Sequence, residues 1–191
     1  YPAVWSDFSM ENLSMRNLTA TICLTLAVLL GSAGVSWSAY SKSKIEDDRS
    51  IWLANKKGLT AYDSKDYTTA LREWKPLAEQ GNADAQYNLG GMYEKGQGVP
   101  QDYKTAVKWY RLAAEQGFAD AQYYLGRMYR EGNGVPQDYV RAHMWGNIAA
   151  TNGSKLGAMS TAYFELYVTS SQLETAEKLA RECVRKKYKG C

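Results

Sequence analysis

The sequence contains very little histidine and cysteine. Its 191 residues include one histidine, His143, and three cysteines. Two of those cysteines and a distant histidine do not have the spacing of zinc ligands, so we expect no metal site. A lone histidine at a helix packing position is usually structural, and we interpret His143 in this way. The composition therefore offers little support for a metalloenzyme or a histidine-dependent hydrolase, and we expect no catalytic residue and no cofactor.

The sequence also lacks a strong excess of charge. The net charge is +3, and the basic residues are scattered except for Arg185, Lys186, Lys187 and Lys189. A nucleic-acid surface requires a basic patch or stripe, so we expect no nucleic-acid partner and interpret the terminal cluster as a solvated tail. The glycine loop at 96–100 follows no strand and is too short to cradle a phosphate.

One long apolar run occurs, near the N-terminus. Met15–Ser38 has a positive charge at Arg16, an apolar core and small residues at Ser36 and Ser38, which is typical of a cleaved signal peptide. We assign residues 1–38 to a leader plus this signal, 39–47 to a linker and 48–191 to the folded domain. Tyr1–Ser14 is interpreted as translated leader upstream of the true start.

An uncleaved membrane anchor is the alternative, because no charge occurs between Arg16 and Lys42. Both interpretations put the domain outside the cytosol, as a periplasmic or secreted protein or as a membrane-anchored one.

Export to an oxidising compartment also favours a disulfide between the remaining cysteines. Cys23 leaves with the signal, and the remaining pair, Cys183 and Cys191, is expected to form a disulfide, with two free thiols as the alternative.

The most informative feature is a repeat of 36 residues. Residues 81–116 and 117–152 are identical at 21 of 36 positions. A unit this short cannot bury its own apolar face, so neighbouring units must stack and share a core. Weaker copies extend the pattern to a unit with a shorter loop at 48–80 and a degenerate C-terminal cap at 153–191. The sequence thus predicts an all-α fold, an α/α solenoid of about four antiparallel helix pairs.

Each repeat reads as two helices joined by a glycine loop. Gly90 and Gly126 lie within the first helix, where glycine makes sense only if the partner helix approaches too closely for a Cβ. In the loop, glycines end the first helix and proline prevents its continuation. Three aspartates at one phase of the repeat are predicted to cap the second helices, Asp66, Asp102 and Asp138.

The strings AQY-x-LG-x-MY, G-x-GVPQDY and A-x-x-W resemble the Sel-one-like repeat, a branch of the tetratricopeptide repeat superfamily. The resemblance implies a right-handed superhelix whose first helices line a concave face. It also implies a non-enzymatic adaptor that binds proteins, in bacteria often at the cell envelope. Projecting the groove positions of that superfamily suggests a set of partner-binding residues: Asn55, Leu59, Tyr87, Gly91, Glu94, Tyr123, Arg127, Arg130, Met159, Tyr163 and Leu166.

Three functions remain open at this stage. The first is binding of a peptide or protein segment in the groove. Binding of cell-wall glycan is the second, because tyrosines can stack on sugar faces. The third is hydrolysis of β-lactam or cell-wall substrates, which some cysteine-rich relatives are reported to perform; those relatives carry a disulfide in each repeat, whereas 44–159 contains no cysteine here. Tyr87 and Tyr123 could alternatively fill gaps between adjacent repeats.

Overall fold

The structure is a computed structural model that describes residues 37–191, without the side chains of 37–41 and 43. The chain divides into two compact units, Tyr1–Ser50 and Ile51–Cys191, and the second contains the repeats. The described residues are all-α, as predicted, with no strand. Their eight helices are α1 (Trp37–Asp63), α2 (Tyr67–Glu79), α3 (Ala83–Lys95), α4 (Tyr103–Ala114), α5 (Ala119–Glu131), α6 (Tyr139–Thr151), α7 (Lys155–Glu165) and α8 (Ser170–Arg185).

The first helix starts earlier than expected. Residues 39–47, expected as a linker, are helical, because α1 begins at Trp37 rather than near Asp48. No glycine or proline occurs within 35–57 to stop the helix. The expected leader and, except for Trp37 and Ser38, the expected signal peptide lie outside the described residues. Within 37–191 no helix combines the length and the apolarity needed to cross a bilayer.

The helices of the second unit stack as a solenoid. Consecutive helices pack together from α2 to α7, and the next-nearest pairs α5–α7 and α6–α8 are also in contact. Two apolar clusters form the core. One cluster is centred on Trp74, Leu89 and Met92, and the other on Tyr110, Leu125, Met128, Trp145 and Ile148. The shared interior that the repeat required is therefore present.

Glycines in the first helices mark the closest crossings between partner helices. A Cβ on Gly90 would lie 2.6 Å from the ring of Tyr110 in α4. A Cβ on Gly126 would lie 3.0 Å from the carbonyl oxygen of Ala142 in α6. The structure thus confirms that these glycines permit close packing of helices, which offsets their low helix propensity.

The loop glycines connect each repeat to the one before it. Gly132 ends α5 in the left-handed region, with φ of 72°. Gly134 has φ of 73°, and a Cβ there would lie only 2.3 Å from the carbonyl oxygen of Tyr103, the first residue of α4. Gly98 makes the equivalent approach to Tyr67, the first residue of α2. Each loop therefore rests on the start of the preceding second helix and sets the register between repeats.

The three aspartate caps are confirmed. The side chains of Asp66, Asp102 and Asp138 accept backbone hydrogen bonds from the first turns of α2, α4 and α6. Hydrogen bonds from the hydroxyl and amide of Thr105 hold the pKa of Asp102 below its usual value, so the cap remains ionised. Thr169 forms a capping box with Gln172 at the start of α8.

The C-terminal helix closes the stack differently from a regular hairpin. It packs mainly on α6 instead of on α7, which precedes it in the chain. A disulfide joins Cys183 to Cys191, with Cα atoms 5.6 Å apart. The intervening turn brings Tyr188 against Gly117 and within 3.1 Å of the Asn152 side chain. The disulfide thus holds the tail against the corners at the ends of α4 and α6.

The free flank of α7 has the composition of a terminal cap. In α5, Gly126 and Tyr129 face the partner helix α6. One repeat later, the corresponding residues of α7 are Ala162 and Glu165, and both are exposed. At these two positions α7 carries a small and a charged side chain, as expected for the terminal cap of a solenoid.

Two adjacent glycines provide a test of the helix crossing. We expect Gly90→Ala to destabilise the protein by about 1–3 kcal/mol, because the buried Tyr110 ring must shift to admit the methyl group. Gly91→Ala is the matched control, since its Cβ would meet only the Tyr110 hydroxyl at 3.6 Å. It should gain up to about 1 kcal/mol in helix propensity. Urea unfolding measures both, and equal effects would contradict the close crossing.

The disulfide predicts a defined response to reduction. Cys191→Ala should lower the free energy of unfolding by about 2–3 kcal/mol, because it removes the constraint on the unfolded chain. A reductant should lower the stability of the wild-type protein by a similar amount and leave the variant unchanged. Thermal unfolding with and without dithiothreitol makes this comparison. A reductant effect of the same size in both proteins would show that the disulfide does not stabilise the fold.

Candidate functional site

The first helices of the repeats form one continuous surface, which we call the first-helix face. Tyr62 in α1 donates a hydrogen bond to Gln97 at the end of α3, at 2.6 Å. Tyr87 in α3 lies 5.6 Å, between ring centroids, from Tyr124 in α5. Arg130 in α5 lies over the ring of Tyr163 at the end of α7. The face thus runs through α1, α3, α5 and α7.

A small cavity opens on this face between α1, α3 and α5. Its volume is about 170 Å³. The buried rings of Trp74 and Tyr110 form its floor. Around its mouth lie Leu59, Tyr62, Asp63, Tyr87, Asn88, Gly91, Lys95 and Tyr124. The cavity is therefore aromatic inside and carries a few polar groups at its rim.

Gly91 keeps the cavity open. It occupies the same repeat position as Arg127, one period later. A Cβ on Gly91 would have a single neighbour within 4 Å, the Tyr110 hydroxyl. Arg127 instead extends across the face and places its guanidinium 4.6 Å from the ring of Tyr124. The difference between two otherwise similar repeats thus creates the cavity on one side and a charged partition on the other.

The charged partition is the ion pair between Arg127 and Glu94, to which the Tyr110 hydroxyl is hydrogen-bonded. Arg127 contacts the carboxylate of Glu94, which also accepts a hydrogen bond from Tyr110 at 2.7 Å. Burial opposes the charge of Arg127, but Glu94 and Glu131 raise its pKa above the ordinary value. Burial, reinforced by Glu94, also raises the pKa of Tyr110. The arginine therefore stays charged and the phenol neutral over the whole physiological range.

Lys95 provides a cation at the mouth of the cavity. Its ammonium group donates a hydrogen bond to the Tyr62 hydroxyl at 3.2 Å, and this bond raises the pKa of Lys95. Within the described residues Lys95 forms no ion pair. Asp63, at the end of α1, is the acidic residue at the rim.

The far end of the first-helix face is more apolar. Met159 and Leu166 of the α7 segment are 79% and 77% exposed, the two largest values among the exposed large apolar residues in the described part of the chain. Arg130 lies over the rings of Tyr163 and Phe164, at 5.1 and 5.6 Å. We call Met159, Tyr163 and Leu166 the apolar ledge.

The expected partner-binding residues fall into different environments. Leu59, Tyr87 and Gly91 line the cavity, and Met159, Tyr163 and Leu166 form the ledge. Glu94 and Arg127 form the partition between them, and Arg130 covers Tyr163. Asn55 instead joins α1 to its two neighbours, because its side chain donates to Asn82, the N-cap of α3, and its carbonyl accepts from Trp74 in α2. Tyr123 lies beside Tyr124 and outside the cavity lining. Tyr87 both lines the cavity and bridges repeats through Phe118.

Seven lining residues were outside the sequence projection: Tyr62, Asp63, Trp74, Asn88, Lys95, Tyr110 and Tyr124. Asn88 and Tyr124 share one repeat phase, next to that of Tyr87 and Tyr123. The projection followed a single helical stripe, whereas a helix that faces a cavity exposes residues on both sides of the stripe. The sequence offered one signal for these residues. Where the second copy of the repeat has Tyr124, the first copy has the polar residue Asn88.

His143 lies away from this face, on the second helix α6. It is buried, and neither ring nitrogen forms a hydrogen bond within the described residues. The nearest acidic oxygen, from Glu165, is 3.7 Å from Nε2. Among residues 37–191 no three acidic, cysteine or histidine side chains converge as metal ligands would.

The repeats themselves match a known family. The family model described as Sel1 repeat matches residues 83–118 and 119–154, two residues out of phase with the sequence-based boundaries. The chain carries two Sel1 repeats. The resemblance inferred from the sequence motifs is thereby confirmed, and the choice of starting residue in a periodic chain is arbitrary.

Solved structures with the same fold are similar to the chain. One is a protective antigen present in uropathogenic Escherichia coli strains, which displays an SLR fold. It is 31% identical, with a TM-score of 0.69 over 79% of this chain and 34% of its own. A Sel1 repeat protein from Oxalobacter formigenes is 37% identical, with a TM-score of 0.53 over 56% of this chain and 44% of its own. The chain thus spans less than half the length of either protein. No curated protein matches it.

The partition can be tested by a double-mutant cycle. We expect Glu94→Gln and Arg127→Met each to cost about 1–3 kcal/mol, because each leaves a partly buried polar group without its partner. Their coupling energy should be about 1–2 kcal/mol. Glu177→Gln and Arg181→Met form the matched control, since that pair is exposed and should couple by less than about 0.5 kcal/mol. Chemical denaturation measures both cycles, and equal couplings would contradict a buried partition.

Proposed function

We propose that this protein is a non-enzymatic binding module that holds an extended peptide or protein segment along the first-helix face. The observation that supports the proposal is the aromatic cavity opened by Gly91, followed along the same face by the exposed apolar ledge on α7. Sel1 repeats generally mediate protein–protein interaction, which agrees with this assignment. Several shallow contacts along a repeat surface suit a linear segment.

The size of the cavity favours a side chain over a small molecule. Pockets that take drug-sized ligands have volumes of about 300–1,000 Å³, whereas this cavity has about 170 Å³. A drug-sized ligand would exceed this volume, whereas one bulky side chain of a bound segment would fit. Glycan binding has less support, because Tyr87, Tyr110 and Tyr124 pack against one another, which leaves less ring surface for stacking on a sugar.

We place this activity at the bacterial cell envelope, in the periplasm or outside the cell. Two features support the location: the signal-like segment Met15–Ser38 and the disulfide between Cys183 and Cys191, which suits an oxidising compartment. An uncleaved signal would attach the repeats to the membrane on the same side.

Site-specific photocrosslinking in intact cells tests the proposal. A photoreactive residue at Asn88 or at Met159 should yield a protein adduct, because both positions lie on the first-helix face. Lys108 is the control position, since it is exposed on the second helix α4. Mass spectrometry identifies the adducts. Equal crosslinking at Lys108, or adducts with glycan in place of protein at Asn88, would contradict protein binding on this face.

A further inference from the structure

We propose that the bound segment has two bulky apolar anchors about six residues apart, with an acidic residue beside the first anchor. This inference rests on the proposed function and specifies its partner. The first anchor enters the Gly91 cavity, the acidic residue pairs with Lys95, and the second anchor lies on the apolar ledge of α7.

The cavity selects the first anchor. Its floor consists of buried aromatic rings, and its volume of about 170 Å³ exceeds the space of a single water molecule many times over. Filling it with an apolar side chain removes both that side chain and the rings of Tyr87 and Tyr124 from water. A polar side chain would lose its hydration without gaining a partner at the ring-lined floor.

Lys95 selects the residue beside the first anchor. Its ammonium group stands at the mouth, held by the Tyr62 hydroxyl, and forms no ion pair within the described residues. The other two cations of the face are already committed, because Arg127 pairs with Glu94 and Arg130 with Glu131. Asp63, the acidic residue at the rim, lies on α1 and forms no ion pair with Lys95 within the described residues. An acidic side chain on the α3 side of the anchor would therefore complement the free charge.

The partition sets the distance to the second anchor. The partition, formed by the Glu94–Arg127 ion pair with the Tyr124 ring beside Arg127, lies between the cavity and the apolar ledge. A peptide that contacts both the cavity and the ledge must therefore pass over the partition. Adjacent packed helices lie about 8–10 Å apart. Because α5 contacts α7 and α3 reaches α5 through Tyr87 and Tyr124, α3 and α7 are separated by at least about 16–20 Å. An extended chain advances about 3.3 Å per residue and covers that distance in five or six residues. Met159 and Leu166 then receive the second anchor.

Selection from a display library of random linear peptides tests the inference. The library should be selected against the full repeat domain and, in parallel, against Lys95→Glu. We expect wild-type selections to share two bulky apolar positions about six residues apart, with an acidic residue next to the first. Selections against Lys95→Glu should keep both anchors and replace the acidic residue by a basic one. Absence of the anchor spacing, or no change of charge preference with Lys95→Glu, would overturn the inference.

Binding constants of a selected peptide provide the second measurement. Gly91→Arg places in this repeat the side chain that its successor carries, and it should weaken binding about ten- to a hundredfold by filling the cavity. Lys108→Arg is the control and should bind within about twofold of wild type, because Lys108 is exposed on α4, outside the first-helix face. Equal binding to Gly91→Arg and wild type would overturn the first anchor, provided circular dichroism shows both proteins folded.

Crosslinking of the selected peptide separates failure of this inference from failure of the proposed function. A peptide that crosslinks to Asn88 or Met159 but lacks the anchor pattern overturns the inference and leaves binding on the first-helix face intact. A peptide that crosslinks only to Lys108, or a library that yields no binder, overturns both.

Discussion

The solenoid depends on the close approach of each glycine loop to the backbone of the preceding repeat. Gly134 leaves no room for a Cβ beside the carbonyl of Tyr103, and Gly98 makes the same approach to Tyr67. Any side chain would separate the repeats and shift the register of the helices beyond the loop. Tyr139 begins α6, as Tyr67 and Tyr103 begin α2 and α4. In the described part of the chain no glycine loop rests on Tyr139, and its ring instead stacks on Tyr167, with ring centroids 5.2 Å apart. The periodic contact therefore ends where the cap begins.

Once the register is set, differences between repeats determine the surface. Several positions that pack the interior carry the same residue in both copies, such as Ala85 and Ala121 or Leu89 and Leu125, because neighbouring hairpins meet similar surroundings. Positions on the first-helix face are free to differ, and Gly91 and Arg127 are the clearest case. The glycine leaves a cavity floored by Tyr110, and the arginine forms an ion pair that crosses to Glu94 of the previous repeat. A regular scaffold thus carries an irregular surface.

Much of the fold followed from the sequence. The aspartate caps, the helix-ending glycines and the close-packing glycines act within one hairpin or between neighbours, so their spacing alone predicted them. The N-terminal part of α1 was not predicted, because the polar residues 39–47 that follow the apolar leader resembled a linker. No residue in that stretch stops a helix. The sequence projection included only part of the cavity lining on the first-helix face. Leu59, Tyr87 and Gly91 were identified from their stripe, whereas Tyr62, Asn88, Lys95 and Tyr124 required knowledge of how three helices converge.

The sequence by itself determined the repeat length, the helical hairpins and their order, because each depends on contacts between residues close in the chain. Only the tertiary structure decided which side chains meet across repeats. The Glu94–Arg127 pair, the cavity between α1, α3 and α5, and the return of α8 to α6 instead of α7 join residues from separate hairpins. Periodicity specifies that hairpins stack, but the angles and gaps between them depend on the packed side chains of several helices at once.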